Sequence, residues 1–290
     1  MQIPMCFALI LLLHYNAPLS GIQHPILSYQ EYQKKEHALP YRFQLSTAQQ
    51  SLFYFGANHS FDPNNEQYGS LDAYWQEFID KTGGKNCVVL VEGSLRKLYE
   101  STTTTEAIRR GGGEGGFITF RAQEKNIPIE CPEPTKSLLK EKLLESFTQD
   151  EVDYRDFSLC VQTFHRRRCT DPHLVFETFY QRFTNVPSLS HMKNVHMTLF
   201  NTAFDAQDED FYYSITNPAD DATIINAVCR TASMIRDQHV VTHIEALLKE
   251  KKNVFVVYGA THAVMQEYAL TQIVHDKSCA HASDSSTSTS

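Results

Sequence analysis

Two matched runs constrain this chain more than anything else in it. Ser51-Leu52-Phe53-Tyr54-Phe55 is closed by Gly56-Ala57-Asn58-His59, and Asn253-Val254-Phe255-Val256-Val257-Tyr258 is closed by Gly259-Ala260-Thr261-His262. A third run, Cys87-Val88-Val89-Leu90-Val91, ends at Glu92-Gly93. Short apolar runs bounded by glycine read as buried strands. In an α/β sheet, residues just past the carboxyl ends of strands face the crevice where ligands bind. The three run ends therefore predict two imidazoles and one carboxylate at one site. A single Gly-x-x-His carries little information; the pair in matched contexts, with the glutamate, carries the argument.

The spacing between these runs is helical. Leu71, Tyr74, Trp75, Phe78 and Ile79 predict a helix over 71–81, stopped by Gly83-Gly84. The segment 126–131 reads as a short fourth strand, which puts Glu133 at another strand end between two prolines. From 138 to 204 the pattern turns helical and predicts an insertion. Phe211 to Ile215 reads as a further strand, and a last helix is expected from about Ala232 to Lys251. Arg236 and Asp237 then stand at that helix's entrance, on or beside its inward face, where unpaired charges are costly. The run Gly111 to Gly116 fits no phosphate-binding motif and reads as a flexible loop leading to a helix near Phe117, with Glu114 its one charged candidate. The expected fold class is α/β: a central, mostly parallel or mixed sheet flanked by helices, with a helical insertion.

At 290 residues the chain can bury a substantial core. We expect one α/β domain over 22–275, with 138–204 inserted and a Ser/Thr-rich disordered tail over 276–290. The apolar run Met5 to Leu13 is too short for a membrane span but suits a signal peptide over 1–20. That predicts a secreted or lumenal protein with no transmembrane segment in the mature chain. A net charge of −8 argues against nucleic acid as a partner, and the short basic cluster His165 to Arg168 reads as a solvated helix face. Loss of Cys6 with the signal would leave six of seven cysteines, with Cys160 and Cys169 able to pair. Cys87 reads as a core residue, and no Cys-x-x-Cys occurs. His239 and His243 lie four apart on the last helix and read as surface residues.

Together, Gly56-x-x-His59, Glu92, Arg236-Asp237 and Gly259-x-x-His262 resemble the TraB/PrgY/GumN–Tiki grouping and its erythromycin-esterase-like and ChaN-like relatives. The likeness spans most of residues 50 to 270 but resides in these short motifs. It implies an α/β fold with both Gly-x-x-His motifs at one cleft. Tiki-like members imply a metal-dependent peptidase with His59, Glu92 and His262 at a divalent metal such as Mn, Co or Zn. Esterase-like members imply hydrolysis by histidine and glutamate with no established metal, and ChaN-like members imply haem binding.

The residues themselves are compatible with the first option, since two imidazoles and a carboxylate form a common three-ligand set with one position left for water. Arg236 could then stabilise an oxyanion, Asp237 orient it or a histidine, and Glu133 or Glu114 serve as general acid or base. No Gly-x-Ser-x-Gly elbow occurs. The expected function is hydrolysis of a peptide or ester substrate, with haem or metal binding and metal-free catalysis by His59 and Glu92 as alternatives.

Overall fold

Five strands form one mixed sheet in the order β1-β2-β5-β3-β4, in a computed structural model that describes residues 24–47, 49–95, 98, 103–166, 189–204 and 209–285. β1 (Tyr41–Ser46) runs antiparallel to β2 (Ser51–Ala57), and β2, β5 (Asn253–Gly259), β3 (Cys87–Val91) and β4 (Ile129–Glu130) are parallel neighbours. The fold is α/β, as the sequence predicts. The strands that end at Gly56, Glu92 and Gly259 are adjacent, with β5 in the middle and its partners in register: Ala57 opposite Gly259, and Val91 opposite Val257. Their carboxyl ends therefore share one edge.

Alternation along the strands divides the core into two layers. Phe53, Phe55, Val89, Val91, Phe255 and Val257 face α2 (Gln67–Thr82), α3 (Thr104–Gly111) and α4 (Glu114–Glu124), meeting Leu71, Trp75, Phe78, Ile108 and Phe117. On the opposite face Leu52, Tyr54, Leu90, Val254, Val256 and Tyr258 meet two long helices. These are α9 (Ile224–Lys249), through Val240, Val241 and Ile244, and α10 (Ala260–Ser285), through Ala263, Leu270 and Ile273. Both faces of β2, β3 and β5 are covered, so these strands carry apolar residues continuously rather than alternately.

A short helix, α1 (Tyr29–Tyr32), precedes the sheet. The helical segment comprises α5 (Lys136–Leu144), α6 (Gln149–Arg166), α7 (Leu189–Phe200) and α8 (Glu209–Thr216). It packs on the first half of α9: Leu143, Phe147 and Val152 meet Val228, Ala232 and Ile235, while Tyr154, Phe157, Met192, Tyr212 and Ile215 close around Ile225 and Cys229. Helix α9 thus joins the insertion core to the sheet core, and Arg236 and Asp237 lie where they meet.

Several expectations change. The run 211–215 is helical within α8, because Tyr212, Ile215 and Thr216 are buried at helical spacing. A short apolar run does not by itself separate helix from strand. Helix α9 begins at Ile224 behind a Thr223 capping box, so Arg236 and Asp237 sit mid-helix rather than at its entrance. The Gly111–Gly116 run is not a loop. α3 ends in it, Gly112 and Gly113 turn with φ of 90° and 68°, and α4 starts at Glu114. β1, an edge strand, lies in a segment to which the sequence pattern assigns none. Helix α10 continues past Asp276 to Ser285, into the expected tail. The signal segment, Cys169 and residues 286–290 lie outside the described residues. Cys87, Cys160 and Cys229 are buried thiols.

Candidate active site

The first motif leaves β2 and turns at Asn58. Gln67, at the start of α2, clamps that turn: its Oε1 accepts from the Asn58 N–H (3.1 Å) and its Nε2 donates to the Asn58 carbonyl (2.7 Å). The same Nε2 donates to Glu114 Oε1 (2.8 Å), which also accepts from the Ser60 N–H (2.7 Å). Glu114 is 2% exposed, at the first position of α4, where the helix dipole favours a carboxylate. Its Oε2 faces His59 Nδ1 at 3.3 Å. Gly113 before it is required twice over: its φ is positive, and a Cβ there would lie 2.7 Å from the Ser60 carbonyl oxygen.

Glu92 is the hub. Its Oε2 accepts from the Gly259 N–H (2.8 Å) and faces His59 Nε2 at 3.5 Å, while its Oε1 faces His262 Nε2 at 3.6 Å and Arg236 Nη2 at 3.4 Å. The two imidazoles thus address the two oxygens of one carboxylate, and the three residues of the run ends converge as the sequence predicts. Arg236 grips Glu133 with a bidentate fork, Nε to Oε2 and Nη2 to Oε1, both 2.8 Å. Glu133 is therefore the partner of Arg236 rather than a free acid, and the guanidinium holds Glu92 in place rather than opening toward an oxyanion.

The second motif has no loop. β5 passes directly into α10, so His262 stands in that helix's first turn, where backbone N–H groups have no intrahelical partner. Asp237 Oδ1 lies 2.6 Å from His262 Nδ1 and also accepts from Gln266 Nε2 (2.7 Å), whose Oε1 accepts from the Tyr54 hydroxyl (3.0 Å). Tyr54, Gln266 and Glu114's partner Gln67 are site residues that the sequence reading does not single out. Only Gln266 leaves a trace, four residues after His262 on the same helix face. His239 and His243 stay apart from the cluster, with His243 Nε2 on Glu130 at 2.7 Å.

The electrostatics follow from these contacts. Hydrogen bonds to Glu114 and then Glu92 push His59 up to about 10, against the effect of burial. Burial opposes charge on His262, but Asp237 and Glu92 outweigh it and raise its pKa. Burial likewise opposes ionisation of Glu92, yet the His59 hydrogen bond and the charges of His262 and Arg236 hold its carboxyl well below the usual range. A cleft of about 320 Å³ lies over the histidines, lined by Tyr32, His37, Asn58, His59, Thr261 and His262 among others. That volume is at the small end of ligand pockets.

As placed, the residues do not fit a metal centre. Among the described residues no three His, Cys, Asp or Glu side chains are positioned to hold one ion. Glu92 is already engaged by the Gly259 N–H and the Arg236 guanidinium, and its oxygens lie 3.5 and 3.6 Å from the two Nε2 atoms. Among the described residues no helix is long and apolar enough to cross a membrane. Comparison with protein-family models, with curated proteins and with solved structures finds no match to this chain.

Proposed function

We propose that this chain is a hydrolase that adds water to an ester or amide carbonyl using acid–base groups of its own. The observation that carries the reading is the double convergence: His59 and His262 meet at Glu92 through Nε2, and each is backed at Nδ1 by its own carboxylate. The motif-level resemblance to the TraB/PrgY/GumN–Tiki grouping, with its metal-free esterase-like relatives, points the same way.

In this reading His262 is the general base. Asp237 holds its Nδ1 and turns Nε2 toward the reaction, as the carboxylate of a histidine dyad does. Water adds to the carbonyl carbon as its proton passes to His262 Nε2. The oxyanion forms beside the first-turn N–H groups of α10 and the protonated ring of His59. Breakdown releases the alcohol or amine, which takes the proton back, and the carboxylic acid. Separations of 3.5 and 3.6 Å to Glu92 are too long for strong hydrogen bonds and leave both Nε2 atoms able to engage a substrate. Arg236, fixed by Glu133, positions Glu92.

A panel of chromogenic esters and peptides tests this, with elemental analysis and an absorbance scan of the purified protein. Turnover that falls by about 10²-fold or more in His262→Gln is the expected result. Stoichiometric Mn, Co or Zn would replace it with the metal-dependent reading, and a Soret band with haem binding. No turnover on any substrate would leave no support for a hydrolase.

A further inference from the structure

Behind His262 runs a buried chain of hydrogen bonds that the proposed hydrolysis does not use: Tyr54 to Gln266 to Asp237 to His262. We propose that Tyr54 and Gln266 are positioning residues which, acting through Asp237, fix a proton on His262 Nδ1 and so reserve Nε2 for the reaction. The assignment of a reactive Nε2 rests on the hydrolase reading; the placement of the proton rests on the chain alone.

The direction of the chain is set by which groups can donate. Tyr54 Oη lies 3.0 Å from Gln266 Oε1, and the phenol supplies the hydrogen. An amide that turns its oxygen to Tyr54 turns its NH₂ the other way, and Nε2 meets Asp237 Oδ1 at 2.7 Å. Asp237 is therefore an acceptor. The same oxygen lies 2.6 Å from His262 Nδ1, so the hydrogen between them belongs to the imidazole. Asp237 Oδ2 is buried with no partner among the described residues, which leaves the donors on Oδ1 to hold the carboxylate. Tyr54 and Gln266 are each 0% exposed and Asp237 is 1% exposed, so water does not compensate a missing link.

The origins of the four side chains add a second consequence. Tyr54 comes from β2, the strand that delivers His59, while Gln266 and His262 share α10 and Asp237 comes from α9. The strand of the first Gly-x-x-His motif thus helps set the ring of the second.

The test uses full-length protein labelled with ¹⁵N-histidine, in wild type, Tyr54→Phe and Gln266→Met, with His262→Gln to assign the signal. Wild type should show a low-field, slowly exchanging imidazole N–H from His262. That signal should broaden or vanish in Gln266→Met and exchange faster in Tyr54→Phe. On an ester that wild type cleaves, kcat should fall about ten-fold and about three-fold respectively, with KM within about two-fold. A signal unchanged in both variants, or no such signal in wild type, would overturn the proposal, because a purely structural role would lower the melting temperature without moving it. Should Gln266→Met fail to fold, the nearly isosteric Tyr54→Phe decides alone. A wild type that cleaves nothing while the signal behaves as described would sink the hydrolase reading and leave the chain standing.

Discussion

The two Gly-x-x-His arms are alike in sequence and unlike in structure. His59 follows a strand and a loop, and its side chain is 59% exposed; His262 follows a strand and a helix start, and is 13% exposed. The loop arm needs an external clamp, provided by Gln67, Glu114 and Tyr68, whose hydroxyl donates to the Ser60 carbonyl. The helix arm is fixed by its own backbone, with Asp237 behind the ring. Even the glycines differ. A Cβ on Gly56 would lie 2.7 Å from Ala263 Cβ and 2.9 Å from Ala260 Cα, so that glycine lets α10 pack on β2. A Cβ on Gly259 would lie 2.9 Å from His59 Nε2, so that glycine makes room for the other arm's imidazole. The element after each strand, loop or helix, sets the role of its histidine; the shared motif does not.

The comparison can be broken most directly at the residue the arms share. Glu92→Gln should lower turnover by about 10³-fold, because both imidazoles and Arg236 lose their common charge. A loss no larger than that from one histidine would mean the arms act separately. Next, steady-state kinetics should separate the arms themselves. His262→Gln is expected to cost about 10²-fold or more in kcat and His59→Gln about ten-fold, and equal losses would erase the distinction between the base and the ring that stabilises the oxyanion.

The glycines sharpen the contrast further. Gly56→Ala should destabilise the fold by about 1–3 kcal/mol in denaturant unfolding, since backbone and a packed methyl must shift. Gly259→Ala should leave stability closer to wild type and reduce turnover about ten-fold by displacing His59. The smallest effect is in pH. His59 has a folded-state pKa of about 10 against 6.5 when free, so its pairing adds stability that is complete below about pH 6.5 and is lost as pH rises through about 10. The melting-temperature gap between wild type and His59→Gln should therefore shrink from about pH 7 to about pH 10.5. Solvent screening of so exposed a ring keeps that gap to about 1–2 °C.

Much of the site is legible in the sequence, because strand ends are easy to read and their chemistry is local. The runs ending at Gly56, Glu92 and Gly259 are covered on both faces, so their interiors are apolar or aromatic, and the polar residues that follow them, His59, Glu92 and His262, gather at the shared edge. Glu114 is visible only as a charge within a glycine run that reads as a loop. Its burial depends on α3 and α4 packing closely enough that Gly111 and Gly116 touch, which no local pattern reports. The run 211–215 misleads for a different reason: its neighbours are helices α6 and α7 of the insertion, and tertiary contact selects helix over strand.

By itself, the sequence determined the three central strands, their shared edge and the presence of two histidines and a glutamate there, since periodicity and glycine punctuation are properties of a few neighbouring residues. Only the tertiary structure decided how protons are distributed among them. The partners that set each charge, Glu114 for His59, Asp237 and Gln266 for His262, and Arg236 with Glu133 for Glu92, come from α4, α9, α10 and the segment after β4. They meet the strand ends because helices packed on both faces of one sheet bring their side chains to its edge, and buried charges there must find one another or remain uncompensated.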